Sequence, residues 1–400
     1  MRLRLLVPRR RRRRSLRGLT GAIAGLAALG AALLAGCGSA EPAPPPPASE
    51  RALAIGITEP NPAFLAPSGY TEFERWRPEL AKLAPEHYRL VVEWDKAVAP
   101  DGSYDVTAEQ GGCLRVIPPC GGWFGVRAQM EAVAAAQQAS PGRYELMVVL
   151  MYTPPAYASP AAGCERRDVE PRSRPPQDLD AYRAVIRAVR AEADRAGVEV
   201  AQWSPWNEPN HPYFISPQRV RCDAAAPSAA VPAYISLARA MQAELVDGEQ
   251  LVLGELAPTT TFGPQSTRMT EFVDGLPSNL VCAADVFGIH KYAQDDPIDA
   301  LSAAIARHGC ELPIWVTETG TKHSLVDPVT ACETDRANLE RWYEDPRVDA
   351  VFHYTLREDD VFPTGLITTD LAAAFPALAE WQAWGARTDP SASPPPSACR

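Results

Sequence analysis

Short apolar runs alternate along most of the chain with longer segments in which apolar residues recur every three or four positions. Runs of the first kind predict strands and segments of the second predict amphipathic helices. The predicted strands are ALAIGI from Ala52, RLVVEW from Arg89, ELMVVLMY from Glu145, VEVAQWSPW from Val198, QLVLGEL from Gln250, DVFGIH from Asp285, PIWVTE from Pro313 and AVFHYT from Ala350. The clearest helical stretches run over 178–197, 232–247, 297–309 and 370–384. Strict alternation of β and α units calls for a parallel sheet. Eight units between residues 51 and 387 fit a single-domain α/β fold of the (β/α)8 barrel type better than a doubly wound open sheet. No GxGxxG or GxxxxGK follows any strand, so nothing is prepared to cradle phosphates.

The two ends depart from this pattern. Nine arginines between Arg2 and Arg17 precede the apolar run GLTGAIAGLAALGAALLAG and then Cys37. A basic segment, an apolar core and LAGC resemble a bacterial lipoprotein signal over residues 1–36, with acylation of Cys37 expected after cleavage. The alternative is an ordinary secretory peptide with an incidental cysteine. RRSLR leaves Sec and twin-arginine export both open. Residues 37–50 are Pro-rich and read as a tether holding the domain off the outer face of the cell membrane, and the Pro/Ser-rich tail 388–400 reads as similarly extended.

Removing the signal alters the charge. The full chain carries −10, but without those nine arginines 30 basic residues stand against 49 acidic ones, near −19, which disfavours nucleic acid as a partner. The six histidines are scattered without an HExxH, so no metal and no cofactor is expected. Eight cysteines follow Cys37, and an even number in an exported chain suggests disulfides. Cys113 and Cys120 share the loop after strand two. Cys164 and Cys222 lie in neighbouring loops after strands three and four, on the face opposite Cys282 and Cys310, which precede strands six and seven. Cys332 then pairs with Cys399 if the tail travels back to the domain.

In a barrel, catalytic groups gather at the C-terminal ends of the strands. Strand four is expected to end at Trp206 with Asn207 and Glu208 next, and strand seven at Thr317 with Glu318 next. Three strands apart, two such carboxylates can face each other across the barrel mouth, as glycoside hydrolysis requires. Trp203 and Trp206 beside Glu208 are expected to disfavour its charged form, as suits an acid, while Glu318 must be ionised to act as a nucleophile. Asn207 is placed to hydrogen-bond a sugar hydroxyl. Glu59, Glu93 and Glu255 also lie near strand ends, as subsite or structural residues.

WNEPN, FGIHKY, WVTETG and GLITTD, in that order and at that spacing, resemble the clan A retaining β-glycosidases, nearest to the family 39-like and family 5-like bacterial members. The resemblance implies Glu208 as acid/base, Glu318 as nucleophile and Asn207 as the 2-hydroxyl contact. It further implies that His290 and Tyr292 contact the sugar and orient the nucleophile, and that Arg89 lies beneath it. Trp94 is a stacking platform or plain core. Where many clan members place a Trp after strand eight, this chain has His353 and Tyr354, and Tyr157 takes the stacking role after strand three. A β-linked glycoside or polysaccharide as substrate and a monomeric enzyme are expected; the alternative is a non-catalytic, lipid-anchored carbohydrate-binding barrel. If Cys37 is acylated, metabolic labelling with a fatty acid marks the wild-type chain and is abolished in Cys37→Ser; equal labelling of the two refutes the anchor.

Overall fold

Eight strands close a parallel barrel in sequence order, with β8 hydrogen-bonded back to β1. They are β1 Ala54–Thr58, β2 His87–Glu93, β3 Glu145–Met151, β4 Val200–Ser204, β5 Gln250–Leu256, β6 Val286–Lys291, β7 Ile314–Thr319 and β8 Val348–Tyr354. The computed structural model describes residues 52–67, 71–99, 103–105, 125–260, 263–292, 295–359 and 362–400. The chain divides into two units, Met1–Pro44 and Pro45–Arg400, and every described residue belongs to the second. The expected signal and tether, Cys37 and the expected Cys113–Cys120 pair lie outside the described residues. No described helix is long and apolar enough to cross a membrane.

The strands read as continuous apolar runs because both of their faces are covered, one by helices and one by the barrel interior. Every residue of β6 and β7 is buried. The interior is filled by Met147, Val149, Val252, Val286, Trp315, Ala350 and Phe352, contributed by alternate positions of their strands. Gly56 on β1 admits the Phe352 ring, since a Cβ there would fall 2.4 Å from it. A much larger apolar layer joins the outer strand faces to the helices.

Local chemistry explains the helix limits. Leu179–Ala196 starts on Asp178, whose carboxylate accepts from the backbone N–H groups of Asp180 and Ala181, and ends at Gly197 with φ +75°. The last helix is Pro376–Gly385, not the expected 370–384. Pro376 occupies its first turn and holds Phe375 extended at ψ 155°, so the preceding residues stay outside the helix. β4 likewise stops at Ser204, two residues before Trp206, because Pro205 has no N–H for the ladder. At β7 the difference runs the other way, and Glu318 lies within the strand.

Three of the expected disulfides form, two as the barrel's faces predict and the third because the tail travels back to the domain. Cys164–Cys222, Cys282–Cys310 and Cys332–Cys399 have Cα separations of 6.0, 5.6 and 5.5 Å. Such bonds suggest an extracellular, oxidising setting. The tail is not the spacer its composition predicts. Leu53 N donates to the Pro390 carbonyl at 3.1 Å, the Tyr343 hydroxyl to the Ser391 carbonyl at 3.0 Å, and Ala398 N to the buried Glu380 carboxylate at 2.7 Å. The folded domain therefore extends to Arg400. Replacing both Cys332 and Cys399 by Ser opens a loop spanning 67 residues and is expected to cost about 2–4 kcal/mol. Denaturant unfolding checks this, and an unchanged midpoint contradicts it.

Candidate active site

Side chains from β5, β7 and the end of β4 meet at one buried cation on β2. Arg89 of β2 is fully buried, and its guanidinium donates through Nε to Glu255 Oε2 at 2.8 Å, through Nη1 to Glu318 Oε1 at 2.6 Å and through Nη2 to Asn207 Oδ1 at 2.7 Å. A buried guanidinium without partners would be very costly; here its fork spans acceptors from three other strand ends. The Tyr292 hydroxyl, just past β6, donates to the second oxygen of Glu318 at 2.7 Å.

Irregular backbone aims these groups. The β5–β6 register shifts between Leu253 and Leu256, and Gly254 and Glu255 adopt φ +90° and +53°. That bulge turns Glu255, which plain alternation would send toward the helices, into the barrel. Gly288 on β6 leaves room for it, because a Cβ there would lie 2.6 Å from Glu255 Oε1. Glu208 is also left-handed, at φ +36°, and its N–H donates to the Glu255 carbonyl at 2.9 Å. A further shift at Ile289/His290 sets His290 directly across from Glu318.

His290 joins the acids. Its Nδ1 lies 2.9 Å from Glu208 Oε1 and 3.4 Å from Glu318 Oε2, and its Nε2 lies 3.6 Å from Glu255 Oε2. Burial opposes charge on the ring, but the Glu318 charge and the contacts to Glu208 and Glu255 prevail and push its pKa up to about 10. For Glu255, burial is outweighed by the Arg89 charge and by His290, which bring it down to about 2. Burial would raise Glu208 too, yet the hydrogen bond and charge of His290 hold it below the ordinary carboxylate range. The expected upward push from Trp203 and Trp206 is therefore corrected. Trp203 packs 5.2 Å from the Arg190 guanidinium and the Trp206 indole donates to the Phe214 carbonyl, and neither lines the cavity.

That cavity holds about 680 Å³ and is lined by Asn207, Glu208, Tyr292, Glu318 and Tyr354 among the expected residues. Arg89 and His290 are fully buried behind the glutamates and are not among the residues lining the cavity. Trp94 is core: β2 ends at Glu93, and the Trp94 ring, 1% exposed, stacks on Tyr157 at 5.7 Å. Half-buried Tyr157 is spent on that contact and is likewise off the cavity wall. His353 is also misplaced by the expectation. Phe352 points into the barrel, so His353 points out, 4.7 Å from Trp381, with Nε2 2.9 Å from the Thr364 carbonyl oxygen and a pKa pressed by burial to about 3. Glu59 is structural, accepting from the N–H groups of Asn61, Leu356 and Arg357.

Tyr152, Arg172 and Phe362 line the cavity without having been singled out. Tyr152 directly follows β3, a strand-end signal that was available in the sequence; Arg172 lies 20 residues farther on, its guanidinium 3.5 Å above the Tyr152 ring and paired with Glu93 at 2.7 Å. Among the described residues, the one cluster with metal-like donors is Cys332, Glu380 and Cys399, and its sulfurs are joined in a disulfide.

Residues 200–345 match the family model described as the glycosyl hydrolase catalytic core. The matched segment carries Glu208, Glu255, His290 and Glu318. Among curated proteins none matches the sequence. Solved structures share the barrel. A family 39 glycoside hydrolase from the gut symbiont Bacteroides cellulosilyticus is 16% identical, with TM-score 0.51 over 85% of this chain and 64% of its own. A GH5_18 protein from Bifidobacterium longum subsp. longum, solved with Manβ1-4GlcNAc, is 13% identical, with TM-score 0.51 over 84% and 78%. An endo-β1,6-glucanase is 9% identical, with TM-score 0.53 over 86% and 78%. The chain thus spans less than two thirds of the family 39 enzyme.

These charges make stability depend on pH. Glu255, depressed to about 2 from 4.5, contributes stability that is present above pH 4.5 and is lost as pH falls toward 2. His290, raised to about 10 from 6.5, contributes below pH 6.5 and loses that contribution as pH rises toward 10. Glu59, raised by burial to about 7, likewise favours the fold below pH 4.5 and ceases to by pH 7. Unfolding free energy should therefore peak near pH 4.5, begin to fall as Glu59 titrates, and drop by on the order of a few kcal/mol by pH 9. Urea titrations across that range test this, and a maximum above pH 8 contradicts it.

Proposed function

We propose that the protein is a retaining β-glycoside hydrolase, acting on β-linked glycosides or polysaccharides by double displacement and tethered through Cys37 to the outer face of the bacterial cell membrane. The observation that carries this reading is the sharing of one imidazole nitrogen, 2.9 Å from Glu208 Oε1 and 3.4 Å from Glu318 Oε2, by two carboxylates that both line the cavity. The sum of those distances bounds the gap between the two oxygens. Two carboxylates held to one nitrogen favour the short separation of retaining enzymes over the roughly 6.5–9.5 Å that inverting enzymes keep to admit a water. The Manβ1-4GlcNAc complex and the β1,6-glucanase among the barrel's neighbours favour the β configuration.

In the first step Glu208 gives a proton to the glycosidic oxygen, the bond from C1 to that oxygen breaks, and a Glu318 oxygen bonds to C1. In the second, Glu208 takes a proton from water, whose oxygen displaces Glu318 and returns the starting anomer. Arg89 and Tyr292 fix both oxygens of the nucleophile. Asn207 accepts from Arg89 through Oδ1, which leaves its NH2 to donate to the sugar 2-hydroxyl. Phe362, half-buried on the cavity wall, offers apolar surface to further sugar units.

Glu318→Gln is expected to lose activity on the order of 10⁴-fold or more, since no other group forms the covalent intermediate. Glu208→Gln should still glycosylate rapidly with aryl glycosides bearing good leaving groups and then stall, and azide should restore turnover as a β-glycosyl azide. Proton NMR of early product from a β-glycoside decides the stereochemistry. An α-anomer appearing first would falsify the retaining role of Glu318. A panel of β-glucan, xylan, galactan and mannan substrates assigns the sugar.

A further inference from the structure

The two-glutamate reaction leaves one acid of the cluster without a task. Glu255 is fully buried, is held in a left-handed backbone conformation by a bulge and has space cleared for it by Gly288. Its Oε2 receives Arg89 Nε and stands 3.6 Å from His290 Nε2, a buried nitrogen that makes no hydrogen bond. Across the same ring, Nδ1 meets Glu208 Oε1 at 2.9 Å. The imidazole is strung between Glu255 and the acid/base.

We propose that Glu255 is a positioning residue for proton delivery, holding His290 as the store of the proton that Glu208 passes to the leaving group. The proposal rests on the reading of Glu208 as acid/base. In the resting site the proton is on Nδ1. Transfer along the hydrogen bond breaks N–H and forms O–H on Glu208, which protonates the glycosidic oxygen as the C1–O bond breaks and Glu318 bonds to C1. His290 is then neutral and Glu208 anionic. When water attacks C1, its proton goes to Glu208 and back to Nδ1, and Glu318 leaves as a carboxylate. Glu255 keeps its charge throughout, and that charge, beside Nε2, favours the imidazolium at rest.

The surroundings agree with this assignment. Arg89 of β2 touches Glu255 and Glu318, and Tyr292 touches Glu318. Tyr234, on the helix Ala230–Gln242, faces Glu255, while His211 and Lys322 face Glu208. Three carboxylates against Arg89 and protonated His290 leave one net negative charge, and losing the His290 proton leaves two. Replacing Glu255 by a neutral residue removes part of that repulsion and with it part of the hold on the proton. The Glu208–His290 pair then deprotonates at lower pH, as a coupled unit.

Two measurements on the full chain test the proposal. The first is the pH profile of kcat/KM with an aryl β-glycoside for wild type, Glu255→Gln and Glu255→Asp. The basic limb should fall by at least one pH unit in Glu255→Gln, so that its loss at pH 8 exceeds its loss at pH 5 by tenfold or more, and Glu255→Asp should restore part of the difference. The second is NMR of nitrogen-labelled histidine, with the His290 signal assigned through His290→Phe. His290 should carry protons on both nitrogens at pH 7 in wild type and should titrate at lower pH in Glu255→Gln. A neutral His290 in wild type at pH 7 overturns the proposal even if the variants do not fold. If glycosides are cleaved but the basic limb and the His290 titration are unmoved in a folded Glu255→Gln protein, this proposal alone fails. If no glycoside is cleaved, the acid/base reading of Glu208 fails, and this proposal with it.

Discussion

The constraint on which the rest depends is the burial of Arg89. A guanidinium that never loses its charge sits inside the barrel, and the fold is tolerable only if anions and polar oxygens come to it. They arrive from three directions: Glu255 on β5, Glu318 on β7 and Asn207 after β4. Closing the barrel and assembling the site are therefore one event. Removing one acid leaves charge unbalanced for every other member, including His290, whose pKa the same carboxylates raise.

The regular barrel alone would not place these groups. β5, β6 and β7 each break register near their C-terminal ends, and Tyr152, Glu208 and Glu255 take left-handed backbone conformations there. Such geometry costs on the order of 1–3 kcal/mol per residue and persists only where surrounding structure enforces it. The enforcement is visible at both ends. The filled interior centred on Trp315 and Phe352 supports the strands from below, and the Cys164–Cys222 bond ties together the loops after β3 and β4 above. The tail, fastened by Cys332–Cys399, packs along the helices Pro328–Glu344 and Pro376–Gly385 on the outside of the barrel.

Much of this was legible in the chain. Alternating apolar runs and amphipathic segments determined a parallel barrel, because each pattern can bury its apolar face in only a few ways. Strand ends then singled out Glu208 and Glu318, and the barrel's two faces sorted two cysteine pairs. Those inferences hold because they depend on periodicity and connectivity, which are properties of the chain itself. Residue-level direction did not follow as readily. His353 faces the helices because β8 alternates there, whereas Glu255 faces inward because β5 does not; Gly254 in QLVLGEL is a bulge signal that AVFHYT lacks, but it does not say which way the next side chain turns. Trp94 turns into the core because β2 ends one residue earlier than its apolar run. The tail's prolines read as a spacer, yet its backbone carbonyls and Cys399 find partners on the barrel. The charge state of Glu208 is the clearest case. Its sequence neighbours are tryptophans that would raise its pKa, but its spatial neighbour is a histidine 82 residues away that lowers it. Local pattern determined which elements form and in what order. Tertiary packing decided which charges meet, because electrostatic interaction depends on distance through space and on burial, and neither is a property of position along the chain.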